Sequence, residues 1–217
     1  EGVAGHITVR DPEFPDQFWV NPFGVSFRYM RVSDLLLVNH EGEILHGDAP
    51  LNRAAFNIHS AIHQARPDVV AAAHAHSVYG KAWASLGRRL DPITQDACVF
   101  YEDHDVIGVQ GGAVVFSADA GKELAANFPV GKAAIHQNHG LLTASRHSIE
   151  AAAFWFIALE RCCKQQMIVE ATGITPLMVP PDKSRYSREH VGSEYIGWLH
   201  FQTIWNHLVH TQPDMFD

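Results

Sequence analysis

The stretch Ala71-Ala72-Ala73-His74-Ala75-His76-Ser77 places two histidines, separated by one small residue, at the end of an apolar run. Such a run favours a buried β-strand, in which alternate side chains point to the same face. His74 and His76 therefore point the same way and can bind one metal ion at about 2.0–2.1 Å. The pair alone is also compatible with an incidental arrangement, so the prediction depends on a third ligand.

His139 is the candidate third ligand. It stands in Asn138-His139-Gly140, directly after a second apolar segment, and a glycine at this place lets the backbone bend closely around a site. Three neutral histidines leave coordination positions open, which is typical of a catalytic rather than a structural metal site. The pattern thus predicts a metal centre formed by these three histidines.

The composition indicates one full-sized α/β domain and argues against several function classes. The chain has 217 residues, 47% hydrophobic and 18% charged, with a net charge of −8. Without a Lys/Arg cluster, we expect neither nucleic acid nor a membrane as a partner. No signal peptide or membrane-span pattern is visible, and the 3 cysteines lack a disulfide spacing, so we expect a cytoplasmic protein. Because the sequence starts at Glu1, we also expect natural residues before it.

Hydrophobic periodicity predicts alternating strands and helices. Strands are expected at 6–10, 18–20, 35–39, 69–76, 132–136 and 141–144, with weaker strand patterns at 97–101 and 113–116. Helices are expected at 52–65, 77–86, 118–128, 149–171 and 193–210, the first capped by Asn52 and the fourth by Ser148. The segment Pro180-Pro181-Asp182 is interpreted as a linker.

Other polar residues are weaker candidates. Glu102 and His104 follow the apolar segment 97–101 and could form a proton-transfer pair, or an ordinary charged turn. Arg53 begins a predicted helix and could hold a substrate carboxylate, although a surface arginine is the simpler interpretation.

Two further pairs favour structural interpretations. His59 and His63 are four residues apart on a predicted helix and share a face, most simply a solvated or half-buried one. Cys162 and Cys163 are adjacent within a helix, so they do not face each other and are expected to pack in the core.

The ordered motifs Ala65-Arg66-Pro67-Asp68, His74-Ala75-His76-Ser77 and Asn138-His139-Gly140-Leu141 resemble the class II aldolase/adducin family. The resemblance implies an α/β fold, a three-layer α/β/α sandwich around a mostly antiparallel central sheet. We assign residues 1–176 to this domain, and residues 177–217 to a linker and a helix packed on it.

The resemblance also implies a cofactor and an assembly. A divalent metal ion, usually zinc, with Fe(II) or Mn as alternatives, is expected on the three histidines. A homo-oligomer acting on a small-molecule substrate is expected as well. In the aldolase branch, the metal stabilises an enediolate during carbon–carbon cleavage.

The sequence departs from the sugar-phosphate aldolases of this family. Those enzymes carry Ser-Ser-Glu at the start of the helix before the histidine pair, where this chain has Arg53-Ala54-Ala55. Ala55 cannot move a proton. Phe23 replaces a phosphate-binding threonine, although Gly24 is kept, and His6 replaces an asparagine. A sugar-phosphate aldolase of the familiar kind is therefore not expected.

Two branches of the family look more similar. Asn21-Pro22-Phe23-Gly24 and Asn52-Arg53-Ala54-Ala55-Phe56 resemble the adducin head, a non-enzymatic scaffold. The segment 92–104 resembles small microbial members, some of which are non-haem Fe(II) oxygenases on aromatic 2-oxo or 2-hydroxy acids.

The leading hypothesis is a metal-dependent lyase or decarboxylase of a small hydroxy or oxo carbonyl or carboxylate compound, with the oxygenase and the scaffold as alternatives. We assign metal binding to His74, His76 and His139, proton transfer to Glu102 and His104, and substrate binding to Asn21, Gly24, Arg53 and Gln95.

Overall fold

The computed structural model describes residues 3–217, so the expectation about the start of the chain at Glu1 lies outside it. The described part contains eight β-strands and seven α-helices. The strands are β1 Gly5–Arg10, β2 Gln17–Val20, β3 Leu36–Asn39, β4 Ile44–His46, β5 Ala71–Ala75, β6 His104–Ile107, β7 Ala133–His136 and β8 Gly140–Ser145. The helices are α1 Arg53–Ala65, α2 Val78–Ala84, α3 Gln95–Cys98, α4 Ala118–Ala126, α5 Ile149–Glu170, α6 Pro181–Val191 and α7 Glu194–Thr211.

One eight-stranded sheet organises the chain, in the order β4-β3-β2-β1-β5-β8-β7-β6. All neighbouring strands are antiparallel except β6 and β7, which are parallel. The expected α/β fold with a mostly antiparallel central sheet is confirmed.

Helices cover both faces of the sheet, because successive strand residues point alternately to one face and the other. Ala134, Leu142 and Ala144 face α1 and α4, where they pack with Ile62 and Leu124. The intervening residues face α2 and α5 on the other side, and they include Ala133, Ile135 and Leu141. Among residues 3–217, no helix combines the length and apolar character that crossing a membrane requires.

The start of α1 is fixed by the predicted cap. The Asn52 side-chain oxygen accepts hydrogen bonds from the backbone N–H groups of Ala54 and Ala55, at 3.2 Å each. These are two of the donors that a helix start leaves without internal partners. The helix bounds at 53–65 therefore match the expectation.

We predict that Asn52→Ala lowers the free energy of unfolding by about 1 kcal/mol, because it removes this cap. Asn52→Asp retains the accepting oxygen and is the matched control. Urea unfolding of the two variants and the wild type measures the difference. An alanine variant as stable as the wild type would contradict the assigned role.

Three local predictions are wrong. Residues 97–101 form the end of α3 and a turn rather than a strand, because the Thr94 hydroxyl caps a short helix there. Residues 113–116 are not a strand, since positive φ angles at Gln110, Gly111 and Gly112 turn the chain away from the sheet. The expected linker at 180–182 begins α6, where Pro181 stands near the helix start and lacks an N–H that would need a partner.

Candidate metal site and its cavity

The side chains of His74, His76 and His139 lie together at one end of the central strands of the sheet. His74 lies in β5, His76 directly follows that strand, and His139 lies in the tight turn between β7 and β8. Their candidate ligand atoms all lie within 4.8 Å of one another. The ring centroids are 5.2 Å apart for His74 and His76, and 4.6 Å apart for His76 and His139.

The orientation of His74 is fixed by a backbone carbonyl. Its Nδ1 lies 2.8 Å from the Leu141 oxygen, so Nδ1 carries the proton and donates it to that carbonyl. The other ring nitrogen, Nε2, is buried and has no hydrogen-bond partner. A bare imidazole nitrogen turned toward two other histidines, with its second nitrogen held by a carbonyl, fits a divalent metal ion.

Burial keeps the rings of His74 and His139 neutral, as metal ligation requires. Burial first, and then neighbouring histidines, hold the pKa of His74 well below its usual range. Burial and the proximity of His76 lower the pKa of His139 to about 4. Neutral imidazole nitrogens are therefore available for a metal ion at neutral pH.

The cluster lies in a cavity of about 410 Å³ whose walls are mostly apolar. Apolar side chains from several separate segments form these walls: Val3, Phe23, Leu51, Ile58, Val114, Val115 and Phe116. The polar lining consists of His6, Asn52, Arg53 and the three clustered histidines. No carboxylate is among the described residues that line it.

His6 belongs to this site, although we predicted no role for it from the sequence. It lies beside His74 in the strand register, and the two rings stack with centroids 5.5 Å apart. Asn52 Nδ2 donates toward His6 Nε2 at 3.3 Å. The period-2 pattern of the first strand could have placed His6 on a face, but not beside His74, because strand pairing is set by the whole fold.

The helix start near the cavity offers no ready phosphate site. The N–H groups of Ala54 and Ala55 are already bound to Asn52, and Ala55 is only 1% exposed. Anions bind helix starts through such N–H groups when these are free. The lack of free N–H groups at Ala54 and Ala55 therefore agrees with the absence of the two serines that the sugar-phosphate aldolases carry at this helix start.

Glu102 and His104 lie away from the cluster, and we revise the role predicted for them. His104 begins β6 opposite Ala133, whereas the clustered residues adjoin the other end of β7, near His136. His104 Nε2 accepts the Leu90 N–H at 2.9 Å, and its Nδ1 donates to the Phe100 carbonyl. Both ring nitrogens thus have structural partners.

Glu102 also has a different partner. Its carboxylate binds the Arg185 guanidinium through both oxygens, at 2.7 and 2.9 Å. Hydrogen bonding to that guanidinium lowers the pKa of Glu102. The structure of one chain therefore does not bring this carboxylate to the cavity.

The four predicted substrate-binding residues lie in different parts of the structure. Arg53 lines the cavity. Asn21 is buried, and its amide binds the Ile7 N–H and the Gly5 carbonyl, so it holds the start of β1. Gly24 adopts a positive φ of 89° in the turn beside Phe23. Gln95 lines a different cavity, beneath α7.

The interpretation of His59 and His63 as a solvated or half-buried pair is wrong, because each is only 1% exposed. They do share a face of α1, where both rings bond the Thr8 hydroxyl, at 2.8 and 2.9 Å. Cys162 and Cys163 pack in the core as expected. Burial, the largest influence, raises the pKa of Cys162 to about 12, which makes its thiol unreactive.

Comparison with known proteins finds a matching family and two similar proteins from Streptomyces. Residues 1–167 match the model of the family described as Class II Aldolase and Adducin N-terminal domain. The chain is 40% identical over 216 residues to "Decarboxylase NovR" of Streptomyces niveus, covering 99% of this chain and 79% of that protein. It is 39% identical to the "4-hydroxy-3-prenylphenylpyruvate oxygenase/4-hydroxy-3-prenylbenzoate synthase" of Streptomyces roseochromogenus subsp. oscitans, covering 99% and 77%.

One solved structure is as similar to this chain in sequence as these two proteins are. The "L-fuculose 1-phosphate aldolase from Glaciozyma antarctica PI12" superposes with a TM-score of 0.91 at 40% identity. The alignment covers 100% of this chain and 84% of that one. Similar chains thus carry names from both aldol and decarboxylation chemistry.

Proposed function

Because the chain belongs to the class II aldolase and adducin family, we propose that it is a metal-dependent lyase that decarboxylates a small 3-oxo acid, with or without a hydroxyl group at C2. The observation that carries this proposal is a three-histidine cluster in an apolar cavity without a carboxylate. His74, His76 and His139 would hold the metal ion, with zinc as the leading candidate. Such an ion would act as a Lewis acid toward the 3-oxo oxygen and an adjacent 2-hydroxyl oxygen of the substrate.

The missing acid favours decarboxylation over aldol cleavage. Aldol cleavage begins with removal of a hydroxyl proton, which calls for a base beside the substrate. The described lining offers no aspartate or glutamate, and alanines stand at positions 54 and 55. In the decarboxylation of a 3-oxo acid, the bond between C1 and C2 breaks, CO₂ leaves, and the electron pair moves to the 3-oxo oxygen, which gives an enolate that takes up a proton from water at C2. That step does not begin with proton removal by a protein carboxylate.

The polar and apolar parts of the cavity fit such an acid. Arg53 at its edge has no acidic partner among residues 3–217, so its guanidinium is available for a substrate carboxylate. Phe23 and Phe116 offer apolar contact area to the rest of the molecule. These walls favour an aromatic or aliphatic body over a sugar phosphate.

Two alternatives from the sequence keep specific support. An Fe(II)-dependent oxygenase on an aromatic 2-oxo acid is favoured by the name of the relative at 39% identity, and three histidines with open positions suit Fe(II) chemically. An adducin-like scaffold fits the missing acid. It gives no chemical reason for three converging histidines around an unpartnered ring nitrogen.

One experiment separates these functions. The purified protein is loaded with Zn²⁺, Mn²⁺ or Fe²⁺ and offered benzoylacetate, acetoacetate, phenylpyruvate or L-fuculose 1-phosphate, with and without oxygen. We expect CO₂ release from a 3-oxo acid without oxygen uptake, faster for benzoylacetate than for acetoacetate. CO₂ release that requires both Fe²⁺ and oxygen would establish the oxygenase instead.

The remaining outcomes overturn the proposal. Cleavage of the sugar phosphate would identify an aldolase. Failure of the protein to bind any of the three metals would favour the scaffold. Light scattering on the same preparations tests the homo-oligomer that we propose from the family relationship.

A further inference from the structure

We propose that Glu160 is a positioning residue that fixes His76 for metal binding. This inference rests on the proposed function, because it concerns the metal ion that His76 would hold. Glu160 lies in the middle of α5, far from the histidines in sequence. A single glutamate in a helix is ordinarily interpreted as a solvated side chain, but its carboxylate here is turned toward the chain segment directly after His76.

Three donors of that segment bind the Glu160 carboxylate. The Ser77 hydroxyl and the Gly80 N–H both donate to Oε2 at 2.6 Å, and the Tyr79 N–H donates to Oε1 at 2.9 Å. Hydrogen bonds to an ionised carboxylate at such distances are the strong ones in proteins. Glu160 therefore holds the first turn of α2 firmly.

This contact matters most for His76 because the sheet no longer holds it. β5 ends at Ala75, so the pairing that orients His74 against its neighbouring strands stops one residue before His76. His76 lies between that last paired residue and Ser77, which Glu160 holds. The backbone direction at His76 is thus set by the sheet on one side and by Glu160 on the other.

The bonding of Ser77 shows that Glu160, rather than the N-cap side chain, accepts hydrogen bonds from the first N–H groups of α2. Ser77 stands at the N-cap position of α2, but its side chain makes no capping bond to that helix. Its hydroxyl instead donates to Glu160, and Glu160 binds the helix N–H groups in its place. The start of α2 is therefore attached to α5, and through α5 to the core.

The same contact reaches the partner of a second ligand. A Cβ atom at Gly80 would lie 2.5 Å from both the Leu141 side chain and Ser77 Oγ, so α2 packs directly on β8 at this point. The Leu141 carbonyl holds His74 Nδ1. Glu160, by binding Gly80, keeps α2 close to the residue that orients His74. Groups that orient metal ligands commonly change metal affinity by about 10–100-fold.

Metal affinity tests the proposal without a substrate. Glu160→Gln replaces one accepting oxygen by an amide donor and removes the charge. We expect its affinities for Zn²⁺ and Co²⁺, measured by competition with a chelator, to fall about 10–100-fold. The visible spectrum of the Co²⁺ protein is expected to change as well, because His76 shifts. Glu170→Gln, at the exposed end of the same helix, is the matched control and should behave as the wild type.

A second pair of variants tests the link if Glu160→Gln does not fold. Ser77→Ala removes one of the three hydrogen bonds and should weaken metal binding, whereas Ser77→Thr keeps the hydroxyl and should restore it. Wild-type affinity and an unchanged Co²⁺ spectrum in the folded Glu160 or Ser77→Ala variant, even with lower stability, would overturn only this inference. If the wild type bound no metal, both this inference and the proposed function would fail.

Discussion

Replacing His139 by alanine is expected to remove the bound divalent metal ion and to lower kcat for decarboxylation by at least about 10²-fold. Its ring lies 4.6 Å from that of His76 and 5.1 Å from that of His74, so its loss leaves two ligands. Metal content after gel filtration and the rate of CO₂ release measure the two effects.

His139 is a better choice than His74 for this test. His74 is a fully buried ring whose Nδ1 bonds the Leu141 carbonyl, so its removal also leaves a void and an unpaired carbonyl in the core. His139 lies in a turn at the cavity, where added imidazole can restore the missing ligand. His190→Ala in α6 is the control, since that exposed ring bonds only within its own helix. Full metal content and turnover in the His139 variant would contradict the metal assignment.

The sequence was sufficient to predict that His74, His76 and His139 lie together, because their positions follow from local rules. Alternation in a strand gives His74 and His76 a common direction, and a glycine after His139 permits a tight turn. The caps at Asn52 and Ser148 also depend only on neighbouring residues, and both make the expected hydrogen bonds. Local chemistry therefore predicted where these two helices start.

The proposed proton-transfer pair was misplaced for a non-local reason. In a sequence, polar residues that follow the end of one strand cannot be distinguished from polar residues at the start of the next strand. Glu102 was expected to end a strand, but β6 starts at His104 and runs parallel to β7. That direction puts the polar cluster at the start of β6 and His139 beyond the end of β7, which are opposite ends of the two neighbouring strands. Strand order and direction depend on the whole chain, so no local pattern could correct the error.

Glu160 and Thr8 were missed because their roles exist only between distant segments. Glu160 is separated from Ser77 by 83 residues, and Thr8 from His59 by 51. Helical spacing did predict that His59 and His63 share a face. It could not show that this face lies against β1, where a single hydroxyl bonds both rings.

The second large effect is a loss of stability in acid that arises from His59 and His63. Burial, the main cause, lowers the pKa of each to about 3, helped by the proximity of His63 for His59 and of Arg10 and His40 for His63. In the unfolded chain, both titrate near about 6.5. Below that pH the unfolded state takes up protons that the folded state does not, so stability falls until the folded pKa is reached. Two such groups lower the free energy of unfolding by up to about 5 kcal/mol between about pH 7 and pH 4.5.

Substitutions of matched geometry isolate this contribution. His59 bonds Thr8 through Nδ1 and His63 bonds it through Nε2, so His59→Asn and His63→Gln place an amide group near each bonding nitrogen without a titrating ring. The double variant is expected to be less stable than the wild type near neutral pH but to lose less stability in acid. Urea unfolding at a series of pH values from about 7 to 4.5, with a chelator present to exclude metal effects, measures how steeply the free energy of unfolding falls with pH in each protein. Other buried histidines, including His6 and His74, remain in both proteins, so the variant is expected to keep part of the acid sensitivity. Parallel slopes would show that the Thr8-linked pair does not cause the acid sensitivity.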